Sequence, residues 1–365
     1  MFLALREIKH AKMRYLLIGF IMVLIAWLVL FVSGLASGLS SANASSIQNM
    51  KADYLVLQTD SENRLNRSVL SAEKVKDIQQ YAKQAATPLG VQMTTITPDQ
   101  TAKKTDATFF AIDMNDRLAP TVVEGKRITN STTDEVIADR SLKDDGFALG
   151  DHIKDQLSGK VFTIVGFTEG QSFSHTPVIH MNKQEWALIH ESNAQFKQAF
   201  NAVALHVDEN SAQQLATKVS GVEVISKDQA LQGIPGYKEE QGSLLMMIVF
   251  LFVIAAFVLA VFFYVITIQK INQFGVLKAI GAKSSYLARN IISQVLTLSI
   301  VSLAISIALT YGMSLILPSS MPFALSPQLV VGCSVLFLTV AVLGSLVSLY
   351  RVIKIDAIEA IGRAA

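Results

Sequence analysis

Four stretches of the chain stay apolar for long enough to cross a bilayer, a crossing that takes about 20 residues for a hydrocarbon core of roughly 30 Å. Residues 15–39 and 243–268 each make one such run. A third apolar window, residues 290–350, is too long for a single helix. Pro318, Pro322 and Pro327 break it within PSSMPFALSP, since proline removes a backbone donor and clashes with the preceding turn. The window therefore predicts spans over 291–317 and 329–350 joined by a short outer loop, 318–328. Between the first two runs the pattern changes. Residues 54–58, 109–112, 161–167, 178–180 and 203–207 are short and rich in β-branched or aromatic residues, as strands are. Residues 71–85, 182–190 and 211–219 have helical spacing, with Ser71 placed to cap the first. The pattern predicts an α-helical membrane protein with four transmembrane helices and one large mixed α/β domain over 40–242.

Charge sets the orientation. Only 16% of the 365 residues are charged, against about 25% in soluble domains, and 15–50, 241–269 and 290–350 contain no Asp, Glu, Lys or Arg. That excludes a soluble enzyme, a disordered tail protein and a basic-faced nucleic-acid binder. The short segments 1–14, 269–290 and 351–365 together hold 11 basic and 3 acidic residues, and the 40–242 segment holds 20 basic and 26 acidic. The positive-inside rule then places both termini and the 269–290 loop in the cytoplasm and the large domain outside a cell membrane crossed several times. The first run also invites reading as a signal peptide ending near Ala42-Asn43-Ala44. Its apolar core is longer than the 7–15 residues usual for such a peptide, so it is taken as an uncleaved span preceded by an amphipathic cytoplasmic helix bearing Phe2, Leu5 and Ile8.

Catalytic signatures are missing. No G-x-x-x-x-G-K-[ST], H-E-x-x-H or G-x-S-x-G occurs, and the single cysteine, Cys333, permits neither a disulfide nor a cysteine metal pair. His175 and His180 flank Pro177, which breaks any helix that could aim both at one metal, so a polar role for each is preferred to a zinc site. The chain is expected to be no enzyme and to carry no intrinsic metal or cofactor.

Three stretches resemble ABC-transporter permeases of the MacB and FtsX-like (type VII) group: the loop QKINQFGVLKAIGAKSSYLARN, the tail RVIKIDAIEAIGR, and an outer segment within 122–169 containing EGKR, EVIADR, ALGD and IVGF. The order of one span, a large outer domain and three spans also fits. The resemblance implies a MacB-like outer core and a permease that dimerises, with a homodimer expected. It further implies two copies of a separate ATPase subunit that binds the ATP. In the 269–290 loop Phe274, Leu277 and Ile280 recur at three-residue spacing, Lys278 and Lys283 flank them, and Gly281 is placed to stop the helix. The reading expects this apolar stripe to dock on the ATPase, the alternative being a helix lying on lipid. In the tail Ile355, Ile358 and Ile361 share a face.

The N-terminal 40 residues are most similar to permeases of Gram-positive haem-efflux pumps, which implies a membrane-partitioned amphiphile, haem first, as cargo. Iron accepts Met, His, Tyr or Cys. At the outer mouth of the second span Tyr237, Glu239, Glu240, Met246 and Met247 cluster, with Glu239 and Met246, or Glu240 and Met247, on one helix face. Phe173 and His175 lie in a stretch read as flexible and able to reach the membrane face. The third span has hydroxyls and Gln294 but no ionisable group, and small residues in the fourth favour close packing. A water-filled pore is therefore not expected. The alternative reading is a mechanotransmitter that switches a cell-wall hydrolase or sensor and transports nothing. Lipoprotein release, which usually employs paired unlike permeases, is the third.

Overall fold

A computed structural model of the chain describes residues 12–98, 103–190, 199–318 and 321–353. The apolar face expected at Phe2, Leu5 and Ile8 and the one at Ile355, Ile358 and Ile361 lie outside those residues. In chain order the elements are α1 (Lys12–Gln48), β1 (Tyr54–Gln58), α2 (Ala72–Ala82), β2 (Ala86–Pro98), β3 (Thr105–Ile112), β4 (Glu124–Gly125), β5 (Glu135–Asp139), β6 (His152–Asp155), β7 (Val161–Thr168), β8 (Ser172–Phe173), β9 (Thr176–Asn182), α3 (Lys183–Ile189), β10 (Ala202–Leu205), α4 (Glu209–Lys218), β11 (Val222–Ser226), α5 (Lys227–Gln232), α6 (Tyr237–Gln269), α7 (Ile271–Ala279), α8 (Ser284–Ser314) and α9 (Pro327–Ile353). They fall into two compact units, one of residues 39–242 and one of residues 1–38 with 243–365.

In the membrane unit α1, α6, α8 and α9 are the described helices long and apolar enough to span. Each turns one stripe inward: Tyr15, Ile18, Met22, Ala26 and Val29 of α1 meet Phe252, Leu259 and Phe263 of α6 and Ile291, Val295 and Leu298 of α8. The three- and four-residue steps of the α1 stripe are those of one helix face. Small residues set the closest approaches. A Cβ on Gly38 would lie 2.3 Å from the Pro322 carbonyl oxygen, and one on Gly344 would lie 3.2 Å from the Ala260 nitrogen. Ser306 Oγ donates to the Val23 carbonyl at 2.9 Å, tying α8 to α1.

The unit of residues 39–242, named the outer unit after the side of the membrane expected from its charge, is built on a sheet ordered β11-β1-β10-β2-β3-β9-β5-β7-β4, in which β3–β9 and β5–β7 are parallel. Its first four strands, with α2 and α4, make a β-α-β-β-α-β unit of ferredoxin-like order, and β3 to β9 form an insertion between its second and third strands. Two-residue alternation fills both faces. Leu55 and Leu57 point into one core and Val56 into another; Phe110 and Ile112 point into one, Phe109 and Ala111 into the next. Helix starts follow the capping rule: Ser71 accepts from the Lys74 N–H, Asn182 from Glu185, Asp208 from Ser211, and Ser226 forms a reciprocal box with Gln229. The motif residues between 122 and 169 serve the fold. Gly125 has φ +82°, and a Cβ on Gly166 would meet the Lys126 carbonyl oxygen at 2.6 Å.

Candidate functional site

Within the outer unit, the last turns of α1 and the first turn of α6 carry a polar cluster. Asn43 Nδ2 donates to Glu240 Oε2 at 2.6 Å, and His175 Nε2 lies 3.2 Å from the same oxygen. Tyr237 Oη lies 3.3 Å from Ser40 Oγ and accepts from Gln48 Nε2 at 3.4 Å. Glu240 Oε1 and Asn43 Oδ1 are buried without a hydrogen-bond partner among the described residues. The cluster is thus short of donors on its inner side.

His175 arrives by a tight hairpin. Ser174 and His175 join β8 to β9 with φ of +51° and +61°, the left-handed pair that a two-residue hairpin with strand-matching twist requires. Each such non-glycine residue costs about 1–2 kcal/mol. The Ser174 N–H, which donates to the Asn43 carbonyl at 2.7 Å, helps to hold the turn. The 169–175 segment is therefore an anchored hairpin and not the flexible arm expected from its sequence. Phe173 is likewise corrected as a site residue: it is buried against Phe110, ring centres 5.7 Å apart, because strand alternation turns it into the core. Of the residues singled out in the sequence, Tyr237, Glu240 and His175 belong to this cluster, joined by Ser40, Asn43 and Gln48. Glu239, one position from Glu240, is turned to the exposed side of α6.

In the membrane unit, Met246 and Met247 are both exposed on α6. At its other end α6 gives way to α7, where the expected docking stripe divides. Phe274 is buried in the helix core and so is not presented to a partner, and Leu277 is half-buried against that core. Val276 and Ile280 are the exposed apolar side chains, with Lys278 half-buried and Lys283 exposed. The three-residue spacing of Phe274, Leu277 and Ile280 drifts around a 3.6-residue turn, and the helix ends before Ile280. Gly281, φ +97°, stops it: the Ala282 N–H reaches the Leu277 carbonyl at 2.9 Å and the Gly281 N–H the Lys278 carbonyl at 3.0 Å, the Schellman pattern.

Sequence reasoning missed one residue here. Lys270, assigned to a solvated loop, is 7% exposed. Its Nζ donates to Tyr15 Oη at 2.7 Å and to Gln294 Oε1 at 3.3 Å, joining α1, the α6–α7 junction and α8. The coincidence of one Tyr, one Lys and one Gln at matching ends of three apolar runs was the available signal. Among the described residues no group of three or more His, Cys, Asp or Glu side chains is placed to hold a metal.

Residues 245–357 match the FtsX-like permease C-terminal family. Two full-length relatives are named hemin transport system permease protein HrtB. That of Staphylococcus haemolyticus is 31% identical over 360 residues, and that of Staphylococcus epidermidis is 31% identical over 363; each alignment covers 99% of both chains. Among solved structures, the periplasmic region of MacB from Actinobacillus actinomycetemcomitans aligns with 52% of this chain and 95% of its own at 13% identity and a TM-score of 0.37. The extracellular domain of the ABC-type transporter YknZ from Gram-positive bacteria aligns with 48% and 99% at 12% identity and a TM-score of 0.34. Full-length likeness, the C-terminal match, four helices long and apolar enough to span and a separate α/β unit agree: the chain belongs to the FtsX-like family of ABC-transporter permeases, multi-pass membrane subunits that work with an ABC ATPase.

Proposed function

We propose that this permease exports haem from the membrane, driven by two copies of a separate ATPase acting on a homodimer of this chain. The observation that carries the reading is the end-to-end likeness to permeases named for hemin transport. The chemistry supports it. Haem is a flat apolar disc with two carboxylates, and iron takes thioether, imidazole or phenolate ligands. Met246 and Met247 offer exposed thioethers on α6, and Tyr237, His175, Glu239 and Glu240 offer ligating or hydrogen-bonding groups in the outer unit. Hydroxyls of α8 such as Thr297 and Thr310 return to carbonyls of their own helix, those of Ser293 and Ser306, which suits lateral access from lipid better than a polar channel.

In this reading the lysine- and arginine-rich ends face the cytoplasm, and the ATPase meets α7 through Val276 and Ile280 with Lys278 and Lys283 beside them. The unbroken course of α1 and α6 also favours a second reading, in which the same stroke switches an extracellular hydrolase or sensor without cargo. Growth in haemin separates them: cells lacking the permease should lose tolerance and regain it with the wild-type gene. Unchanged tolerance removes haem as cargo. A Soret spectrum of the purified chain with haemin then tests the ligands. The band should shift or weaken in Met246→Ala/Met247→Ala or in Glu239→Ala/Glu240→Ala, and its persistence in both rejects these residues.

A further inference from the structure

A cavity of about 250 Å³ lies inside the outer unit, away from the Tyr237–Glu240–His175 cluster. Met50 and Lys51 just beyond α1, Phe110 of β3, Arg117 and Leu118 of the β3–β4 loop, and His180 of β9 line it. At roughly 30 Å³ per water it has room for about eight. It falls just below the size of drug-binding pockets and is too small to enclose a tetrapyrrole.

Its lining carries a net positive charge. Lys51 and Arg117 line it, and neither side chain has an ion-pair or hydrogen-bond partner among the described residues. Glu169, the acid on the lining, is engaged by Arg140 at 2.9 Å. The loop that presents Arg117 is fixed from below. Thr87 Oγ1 donates to Asp116 Oδ2 at 2.5 Å, and Lys183 Nζ and Asn130 Nδ2 each donate to Asp113 at 2.6 Å. The cation is therefore held on a pinned loop, which lowers the ordering cost of binding.

The interior carries a second mark. His180 is buried, with its ring edge-on to Phe110 at 6.1 Å, and its Nδ1 is buried with no partner among the described residues. Burial pushes its pKa down to about 3, so the imidazole stays neutral at physiological pH.

We infer that this cavity binds a small organic anion: a carboxylate paired with Arg117 and Lys51, on a compact apolar or aromatic body lying against Phe110, Met50 and Leu118, with His180 supplying an inner polar contact. The occupant lies against the end of α1, where Ser46 Oγ donates to the Ser172 carbonyl at 2.8 Å and Asn49 Nδ2 to the Gly170 carbonyl at 3.2 Å. The site is independent of haem as cargo.

The test is fluorine NMR of 4-fluorobenzoate with the full-length chain in nanodiscs, using uncharged 4-fluorobenzamide as control. Benzoate should bind saturably and the amide roughly tenfold more weakly or worse, with Arg117→Gln costing about tenfold and Lys51→Gln several-fold. Both variants should melt as wild type does, because both side chains are exposed and unpaired. Leu118→Trp, which fills the cavity, should abolish binding. Equal binding of benzoate and amide, binding that survives the Arg117→Gln/Lys51→Gln pair, or no binding by the wild type overturns the inference.

Discussion

The two units bury polar groups by different rules. In the outer unit buried charges are surrounded by partners. Asp155, fully buried, accepts from the Thr94 and Ser158 hydroxyls and from the N–H groups of Leu157 and Ser158. Glu185, equally buried, pairs with Lys160 and accepts from the Asp134 N–H at 3.1 Å. Burial opposes the Lys160 charge, yet its bonds to Glu185 and Asp134 outweigh that and hold its pKa above the usual lysine value. In the membrane unit the buried hydroxyls that find partners bond mostly to carbonyls of their own helix, as Thr267 does to Phe263 one turn back, while Ser33 and Ser299 have no partner among the described residues. Lys270 is the charged group buried there, with a phenol and an amide among its partners. The outer unit is specified by polar pairs laid over strand alternation. The membrane unit is specified by small residues and shape, because lipid gives apolar side chains no reason to prefer one another.

This contrast is open to test, beginning where the effect is largest. Glu185→Ala removes the buried partner of Lys160, which keeps Asp134 at 3.0 Å, and should destabilise the outer unit by about 3 kcal/mol, read as lost amide-exchange protection in its strands. Lost protection confined to α3 would break the claim that polar pairs specify the whole unit. Acid comes next. The folded pKa of His180, about 3, lies below its unfolded value of about 6.5. The unfolded chain therefore takes up the proton first, and the stability from neutral His180 is complete above pH 6.5 and lost as pH falls towards 3. Between pH 7 and pH 4 that loss is about 3 kcal/mol, and a His180→Leu variant should show a correspondingly flatter dependence of melting temperature on pH. In the membrane unit, Gly38→Ala drives a methyl into the Pro322 backbone and should cost about 1–3 kcal/mol, seen as faster proteolysis of the 321–326 loop. Ser306→Ala removes one interhelical hydrogen bond and should cost only about 0.6 kcal/mol in a denaturation series. A loss above 2 kcal/mol there would mean that polar pairs govern the membrane unit too.

What could be read from the residues follows the same division. Long apolar runs and three prolines announce the spans, because bilayer thickness imposes one length on all of them. β1 was legible from YLVLQ, but β2 was not, since Pro88 and Gly90 interrupt a segment that pairs with β10 on one side and β3 on the other. Tertiary partners stabilise such a strand, and local pattern does not report them. In the candidate site Tyr237 and Glu240 were visible as polar groups at a span's end. Asn43 was not, because its partner is 197 residues away. Phe173 and Phe274 were misjudged for one reason: an aromatic in a polar stretch reads as a contact for a partner, when its face of the strand or helix turns it inward.

The most direct test of the account is haemin transfer from proteoliposomes that hold this permease and its ATPase to an apo-haem protein outside the vesicle. The account predicts transfer that requires ATP, ceases with a hydrolysis-dead ATPase and falls in Met246→Ala/Met247→Ala. Transfer at the same rate without ATP, or ATP hydrolysis that proceeds with no haemin moved, would contradict it.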